Sequence, residues 1–397
     1  MLPISSSAHR SARDSLFVTA AMLGLALLAG RSAVALEYQI TDLGNFYATA
    51  LNNSGQVVGY RDVLFEWEGF QYLVDHAVFY DGTTVHDLTP TPADLGYFGS
   101  RAHGVSDNGL VIGSADGFAF IYSGNSMGYL EPLPVEFPAN GSMSGMAINS
   151  AGRLVGHYQD RYTENSVAVT GFYFDGAMSI RMPTLGGWGA SANDINEQGL
   201  ITGGAEYGAL YGYQAYLYDG ITVHDLGTLP NGYRYSEGLA MNELGQVTGW
   251  AYDAAFSRHA FFFDGDSMQD LGTLGGTISQ GLGINDHGQI VGDFTDASGF
   301  RHGFLYDPLL GMMELDDLLD SSLGWRISSG VGINDVGQIL VDAYRPGELS
   351  RALILTPVPE PSGAILAAAA MLGALPFVSR RRSGREFSHR PMANVAD

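Results

Sequence analysis

Residues 259–292 read HAFFFDGDSMQDLGTLGGTISQGLGINDHGQIVG and contain one complete copy of a unit that recurs along almost the whole chain. Residues 283–292 predict a β-hairpin, because an apolar run enters, Asn-x-x-Gly turns, and an alternating run leaves. Asn285 bonds the turn backbone through its side chain, and Gly288 supplies the left-handed residue of a type I turn with a G1 bulge. Residues 259–263 and 268–271 add two more strands. The unit is therefore a four-stranded antiparallel sheet in about 45 residues.

The hairpin turn recurs seven times along the chain, at spacings of 43 to 54 residues. Its glycines are Gly55, Gly109, Gly152, Gly199, Gly245, Gly288 and Gly337. Three residues earlier stand the capping residues Asn52, Ser106, Asn149, Asn196, Asn242, Asn285 and Asn334, of which serine is the weaker cap. A period near 45 residues with four short strands is typical of a β-propeller blade.

The two ends of the repeat region predict that the blades close into a ring. Residues 38–44 match the fourth strand of a unit, whereas residues 351–355 match the third strand of the last unit. Pairing these segments hides two sheet edges. The predicted fold is therefore all-β, a propeller of seven four-stranded blades with the N-terminal strand closing the last blade. An open β-solenoid is the alternative fold, and it does not need the repeat region to begin with a fourth strand and end with a third strand.

Small residues predominate at two positions before each turn, and they suit an innermost strand that crowds a central channel. The two positions lie four and two residues before the turn Asn; in the sixth unit they are Gly281 and Gly283. Regular alternation along a strand predicts that the two positions share one face. Asp194 is the one charged residue at these positions.

The third strand of the unit carries a recurring His-Ala-Phe pattern, at residues 76–80, 259–263 and 302–306, and an Asp-Leu-Gly-Thr-Leu segment follows in the fourth strand. With the Gly-Ile-Asn-x-x-Gly-x-Ile-x-Gly turn, these segments resemble the HAF repeat, a family of probable extracellular repeats. The resemblance covers roughly Tyr38 to Thr356 and is strongest in the fourth to sixth copies. It implies no catalytic residues, because the family has none established.

The N-terminus predicts a secretory signal peptide over residues 1–35. Arg10 and Arg13 precede an apolar run at 16–29, and a small-residue cleavage site stands at 33–35. A membrane-anchoring helix is the alternative. Residues 36–357 form the predicted propeller.

The C-terminus carries a second predicted targeting signal, which follows the propeller. Pro359, Glu360 and Pro361 precede an apolar run at 363–378, and Arg380, Arg381 and Arg382 follow it on the cytoplasmic side. This order resembles the PEP-CTERM sorting signal of exopolysaccharide-producing Gram-negative bacteria. The resemblance implies an exosortase-type sorting enzyme as partner and a transient inner-membrane anchor at 358–382, where a plain tail anchor is the alternative. A basic polar tail at 383–397 departs from the pattern.

The propeller region is strongly acidic. Residues 36–362 contain 11 of the 19 basic residues and 39 of the 42 acidic residues, and the chain has no cysteine. Such a surface repels nucleic acid and anionic lipid, so nucleic-acid binding is excluded and membrane contact is expected only through the C-terminal segment. No disulfide framework is available.

No catalytic motif stands out in the sequence. His76, His259 and His302 occupy one repeat position on separate blades, which favours a structural role over metal binding. Glu314, Asp316 and Asp317 suggest a solvated acidic edge. Turns such as Asp264-Gly265-Asp266 offer carboxylates to a weakly bound calcium ion, yet they lack the ligand count of a recognisable calcium loop. No other cofactor is expected.

Aromatic residues in the loops that enter the innermost strands are the candidate ligand-binding set. They are Phe46, Tyr47, Tyr97, Phe98, Trp188, Tyr233, Arg234, Tyr235, Trp325 and Arg326. In a closed ring they gather at one channel mouth, where flat aromatic rings with arginine suit sugar rings. Packing over neighbouring blades is the competing interpretation.

The sequence thus predicts an exported, surface-sorted, non-catalytic binding or structural module of the extracellular polysaccharide matrix. A polysaccharide lyase or hydrolase on the same scaffold is the alternative function, by analogy of fold.

Overall fold

The computed structural model describes residues 38–358, except 68, 90–98, 125, 131–140, 164–165 and 209–211. Seven antiparallel sheets follow one another along this part of the chain, and each is one blade. Within the described residues, no helix is long and apolar enough to cross a membrane. The sorting-signal residues Pro359, Glu360, Pro361 and Arg380–Arg382 and the signal peptide lie outside the described residues.

In each of the first four blades, the strands are named in order from the central channel outward. Blade 1 contains β2 (Tyr47–Leu51), β3 (Val57–Trp67), β4 (Phe70–Tyr80) and β5 (Val85–Asp87). Blade 2 contains β6 (Ser100–Val105), β7 (Val111–Ala115), β8 (Phe118–Ser123) and β9 (Ser126–Tyr129). Blade 3 contains β10 (Ser142–Ile148), β11 (Leu154–Thr163), β12 (Ser166–Phe174) and β13 (Ser179–Arg181). Blade 4 has a divided inner strand, β14 (Gly186–Ala190) and β15 (Asp194–Ile195), followed by β16 (Ile201–Tyr207), β17 (Gly212–Tyr218) and β18 (Val223–Gly227).

The remaining blades complete the ring. Blade 5 contains β19 (Ser236–Met241), β20 (Val247–Tyr252), β21 (Arg258–Phe263) and β22 (Met268–Gly272). Blade 6 contains β23 (Ile278–Ile284), β24 (Ile290–Thr295), β25 (Arg301–Asp307) and β26 (Gly311–Glu314), and two 3-10 helices follow at Leu315–Leu318 and Ser321–Leu323. Blade 7 contains β27 (Arg326–Ile333), β28 (Ile339–Tyr344), β29 (Arg351–Pro357) and the N-terminal strand β1 (Tyr38–Gly44).

The N-terminal strand closes the ring, as predicted. β1 runs antiparallel to β29 from the Tyr38–Pro357 pair to the Gly44–Ala352 pair. An ion pair reinforces the junction, because Arg351 Nε lies 2.9 Å from Asp42 Oδ1. The first and last strands of the propeller therefore share one blade, in which β29 is paired on both sides and β1 is the outermost strand.

The repeated turns have the predicted conformation. In blade 6, Gly288 has a φ of 72° and donates its N–H to Asn285 O at 3.0 Å. Asn285 Oδ1 accepts from the backbone N–H groups of His287 and Gln289 at 3.1 and 3.0 Å. Glycine is required at this φ because a Cβ atom is disfavoured in the left-handed region.

The turn asparagines also bind one blade to the next. Each Nδ2 donates to the backbone carbonyl of the equivalent residue in the following blade, at 2.8 to 3.3 Å. The donors are Asn52, Asn149, Asn196, Asn242, Asn285 and Asn334. In blade 2, where Ser106 has no such donor, Asn108 Nδ2 reaches Ser150 O at 2.9 Å instead. We call this circle of hydrogen bonds the asparagine belt.

A second set of hydrogen bonds lies beside the asparagine belt, and most of its side-chain acceptors are carboxylates. The N–H of the residue after each turn Asn donates to the equivalent side chain of the next blade, as Asp286 N does to Asp335 Oδ1 at 2.8 Å. Asp335 N in turn donates to Asn53 Oδ1 at 3.0 Å and links blade 7 to blade 1. These side chains line a small cavity of about 150 Å³ at this channel mouth. The acidic residues here therefore have structural partners.

The His-Ala-Phe strand supplies a core residue and also a histidine that bonds to the neighbouring fourth strand at the surface. Its aromatic or aliphatic residue is fully buried between blades, at Val78, Phe120, Phe172, Tyr216, Phe261, Phe304 and Leu353. Its histidine binds a carboxylate of the fourth strand: His259 Nδ1 lies 3.0 Å from Asp270 Oδ1, and His302 Nδ1 lies 2.7 Å from Glu314 Oε1. This contact explains why His-Ala-Phe and Asp-Leu-Gly recur together.

The small residues of the innermost strands do not share one face, so that expectation is wrong. In blade 6 a register shift lies between Gly281 and Gly283. A Cβ on Gly281 would lie 2.0 Å from Thr248 Oγ1 of blade 5, whereas one on Gly283 would lie 2.8 Å from Gly332 Cα of blade 7. The bulge inserts one residue and breaks the alternation of faces. Both positions still require small residues, because neighbouring blades approach closely there.

Candidate ligand-binding site

Trp188 projects from β14, the first part of the divided inner strand of blade 4, with 87% of its surface exposed. Its neighbour Gly187 lies so close to β16 that a Cβ would be 2.3 Å from Glu206 Cβ. The backbone is fixed on both sides of the ring, since Trp188 N donates to Glu206 Oε2 at 2.8 Å and Arg181 donates to Trp188 O at 2.6 Å. The sequence thus holds a large ring in solvent on a rigid backbone.

The loop that enters blade 5 is clamped between two blades. Arg234 O accepts from Tyr213 N of blade 4 at 3.0 Å, and Tyr235 O accepts from Tyr252 N of blade 5 at 3.0 Å. The Arg234 guanidinium stacks over the Tyr207 ring at 5.4 Å. These contacts fix Tyr235 next to the wall of blade 4.

A cavity of about 700 Å³ lies between Trp188 on β14 and Tyr235 in the loop that enters blade 5. Its lining consists of Trp188, Glu206, Gly208, Gly212, Tyr213, Tyr235 and Trp250. We call it the aromatic cavity, because four of its seven lining residues have aromatic rings. A concave site with rings and few polar groups is suited to an organic ligand with both apolar faces and hydroxyl groups.

The aromatic cavity combines a phenol group with one carboxyl group. Burial and, to a smaller extent, the nearby Glu237 carboxylate raise the pKa of Tyr213 to about 12. The Tyr213 hydroxyl therefore stays protonated at neutral pH. Glu206 is the one acidic residue among the lining residues, and its carboxylate already accepts the Trp188 N–H.

Two of the predicted ligand-binding residues, Trp188 and Tyr235, line the aromatic cavity, and two more, Tyr233 and Arg234, lie in the same entry loop. Tyr233 is 49% exposed and contacts Phe256 edge to face, with ring centroids 4.8 Å apart.

Trp325 and Arg326 lie elsewhere, in blade 7. Trp325 is only 9% exposed, belongs to the core cluster with Ile327, and is covered by the Arg345 guanidinium at 4.1 Å. Arg326 pairs with Asp316 at 3.2 Å. The interpretation as inter-blade packing fits Trp325. Phe98 and Tyr97 lie outside the described residues.

Other candidate groups have partners in the fold. Asp194 is partly buried, and its carboxylate accepts from Met241 N at 2.8 Å and from Ile195 N at 2.9 Å. Burial raises its pKa to about 6. Asp264 Oδ1 accepts two N–H groups of its own turn, from Asp266 and Ser267. In the part of the chain that the structure describes, no group of three or more His, Cys, Asp or Glu residues is arranged to hold a metal ion.

Sequence reasoning missed Glu206, Tyr213 and Trp250, which come from the second and third strands rather than from the entry loops. A signal was present for Trp250. The equivalent position of the second strand carries Tyr60, Ser114, His157, Gly204, Asp293 and Asp342 in the other blades. A tryptophan at a position that is otherwise mostly small or polar marks blade 5 as different.

Comparison with known proteins gives a likeness of fold. No family model and no curated protein matches the chain. A TolB from Agrobacterium tumefaciens is 14% identical with a TM-score of 0.42, covering 69% of this chain and 95% of that protein. The chain spans 50% of dipeptidyl peptidase 4 from Porphyromonas gingivalis, at 10% identity, a TM-score of 0.45 and 75% coverage of this chain.

An Aleuria aurantia lectin in complex with α-methyl-L-fucoside is 10% identical with a TM-score of 0.37, covering 70% of this chain and 94% of the lectin. These proteins include both enzymes and lectins, so the likeness does not decide between catalysis and binding. By its own strand pairing, the chain is a seven-bladed β-propeller of four-stranded antiparallel sheets.

Proposed function

We propose that this protein is a carbohydrate-binding propeller of the extracellular polysaccharide matrix, and that the aromatic cavity is its binding site. The observation that carries the proposal is Trp188, a tryptophan that is 87% exposed on a backbone held by hydrogen bonds at both its N–H and its carbonyl. An exposed indole gains nothing from the core, whereas it stacks well on the apolar face of a sugar ring.

The other lining residues support the same ligand class. Glu206 offers a carboxylate acceptor, and sugar hydroxyl groups donate such bonds. Tyr235 and Trp250 provide further ring surface. The aromatic residues that form the walls of the cavity come from two different blades. The closed propeller therefore fixes the spacing between these walls before any ligand binds.

Binding to immobilised glycans tests the proposal. The full-length chain and a Trp188→Ala variant are incubated with a panel of neutral, amino-sugar and uronate polysaccharides. Phe118→Ala is a matched control, because Phe118 is a 53% exposed aromatic residue on blade 2. We expect the wild type and Phe118→Ala to retain the same glycan and Trp188→Ala to lose it. Failure of the wild type to bind any member of the panel contradicts the proposal.

The enzymatic alternative makes a different prediction for the same site. Glycoside hydrolysis usually uses two carboxyl groups that flank the scissile bond. Glu206 is the one carboxylate among the lining residues of the aromatic cavity. Incubating the protein with each polysaccharide that it binds, and measuring new reducing or unsaturated ends, separates the two functions. Product release that Glu206→Gln abolishes favours an enzyme, whereas binding without product favours the module proposed here.

The location of the protein is part of the proposal and comes from the sequence. Residues 1–35 direct export, and the Pro359-Glu360-Pro361 motif with Arg380–Arg382 directs an exosortase-type enzyme to release the chain to the surface. Replacing all three motif residues with alanine is expected to leave the protein in the inner-membrane fraction. Normal release of that variant contradicts the sorting proposal and leaves the binding proposal unaffected.

A further inference from the structure

An aromatic strip leads outward from the aromatic cavity across blade 5. Ring centroids of Trp250 and Tyr252 are 5.5 Å apart, those of Tyr252 and Phe256 are 4.4 Å apart, and those of Phe256 and Tyr233 are 4.8 Å apart. Tyr252 also contacts Tyr235 at 6.2 Å. At the outer end, Tyr233 and Phe256 are 49% and 55% exposed. Three consecutive ring-to-ring steps make the strip longer than a single sugar ring.

Phe256 occupies a backbone conformation that disfavours it. It lies in the turn between β20 and β21 with a φ of 63°. Blade 6 has the same turn between β24 and β25, in which Gly299 takes this position with a φ of 87°. Both turns close with an N–H from this residue to an aspartate carbonyl, at 3.2 Å from Phe256 to Asp253 and at 3.1 Å from Gly299 to Asp296. The turn therefore forms with glycine, and the phenylalanine is not needed to make it.

A side chain in the left-handed region is sterically unfavourable, and such outliers concentrate at functional sites. Stacking on Tyr252 offsets part of that cost, but it leaves more than half of the Phe256 ring in solvent. The strained backbone at Phe256 thus exposes an aromatic ring to solvent, on the strip that leads out of the aromatic cavity.

We propose that the strip from Trp250 to Tyr233 extends the aromatic cavity into a groove that binds several consecutive units of a linear glycan. This inference rests on the proposed function, and it specifies a polymer chain rather than a terminal sugar as the ligand. One sugar unit occupies the cavity between Trp188 and Trp250. Further units stack on the exposed rings of Phe256 and Tyr233 toward the rim of blade 5, and Tyr252 supports the Phe256 ring by stacking against it.

Chain-length dependence tests the groove. Disaccharides to hexasaccharides of β-1,4-linked glucose, N-acetylglucosamine and mannuronate are titrated against the full-length protein, and against Phe256→Gly, Tyr233→Ala and the blade 2 control Phe118→Ala. For the series that binds, we expect the hexasaccharide to bind about tenfold or more tightly than the disaccharide, the scale of an added stacked contact. Phe256→Gly and Tyr233→Ala are expected to remove most of that gain and to leave disaccharide affinity unchanged, and Phe118→Ala to have no effect.

The melting temperature distinguishes a binding role from packing. Phe256→Gly creates the turn that blade 6 already has, so its melting temperature is expected to equal or exceed that of the wild type. A lowered melting temperature together with an unchanged hexasaccharide affinity assigns Phe256 to packing and overturns the groove. Equal affinities for disaccharide and hexasaccharide overturn it as well and leave the cavity proposal standing, whereas absence of binding by every oligosaccharide overturns both.

Discussion

Replacing Asn285 with alanine tests how the asparagine belt stabilises the ring. The substitution removes the acceptor of the His287 and Gln289 N–H groups and the donor to Asn334 O, 3.1 Å away in blade 7. Each of these three hydrogen bonds contributes about 0.5–1.5 kcal/mol. Asn334 O keeps a second donor, Gly337 N at 3.0 Å, so it is not left unsatisfied. Asn285 is only 2% exposed, so water does not readily replace the lost groups. We therefore expect a loss of about 3 kcal/mol in the free energy of unfolding.

Ser106→Ala is the matched control, because Ser106 caps the equivalent turn of blade 2 through Leu110 N at 3.0 Å without a bond to the next blade from its own side chain. Its loss is expected to be about 1 kcal/mol. Urea unfolding followed by tryptophan fluorescence measures both variants. If the two substitutions cost the same, the blade-to-blade bond contributes nothing and the argument for the belt is refuted.

Three further predictions concern closure, packing and pH. Deleting residues 38–44 leaves β29 paired only with β28 and exposes its outer edge, so aggregation or a broadened unfolding transition is expected in light scattering and melting. A wild-type melting curve contradicts this. Trp325→Ala is expected to cost about 3–5 kcal/mol of stability without changing glycan affinity, as for a buried tryptophan, and a loss of affinity at unchanged stability reverses the assignment. The pKa of Asp194 rises from 3.8 to about 6 on folding, so the stability from its protonated form is present below pH 4 and is lost as the pH rises through 6. Unfolding free energies at pH 4 and pH 7 are expected to show Asp194→Asn gaining about 2 kcal/mol relative to the wild type over that interval, and parallel pH profiles refute the effect of Asp194 burial.

The fold was predictable because its turns specify it locally. An asparagine and a glycine three residues apart define the turn, as Asn285 and Gly288 do, and the phase of residues 38–44 reveals the closing strand. Contacts between blades were not predictable in the same way. The bulge between Gly281 and Gly283 redirects side chains, yet the residue spacing gives no sign of it. The asparagine belt depends on how the turns of successive blades align, which no single repeat encodes.

The candidate site was only half predictable for a related reason. Aromatic residues such as Trp188 and Tyr235 stand out in the sequence, but their convergence depends on the hairpin of blade 4 that carries Glu206 and Tyr213. Trp188 and Trp325 look alike as isolated tryptophans. Glycines on both sides keep Trp188 in solvent, whereas Trp325 leads directly into the buried face of β27. Local sequence thus separates them once the strand register is known.

The most direct test of the account is a paired binding and melting measurement on Trp188→Ala. The account predicts that affinity for the retained glycan falls by about 1–3 kcal/mol, the scale of a stacked aromatic at a hot spot. Stability is expected to stay within about 0.5 kcal/mol of the wild type, because the indole is 87% exposed. Lowered stability with unchanged affinity would contradict the central claim that the aromatic cavity binds sugar.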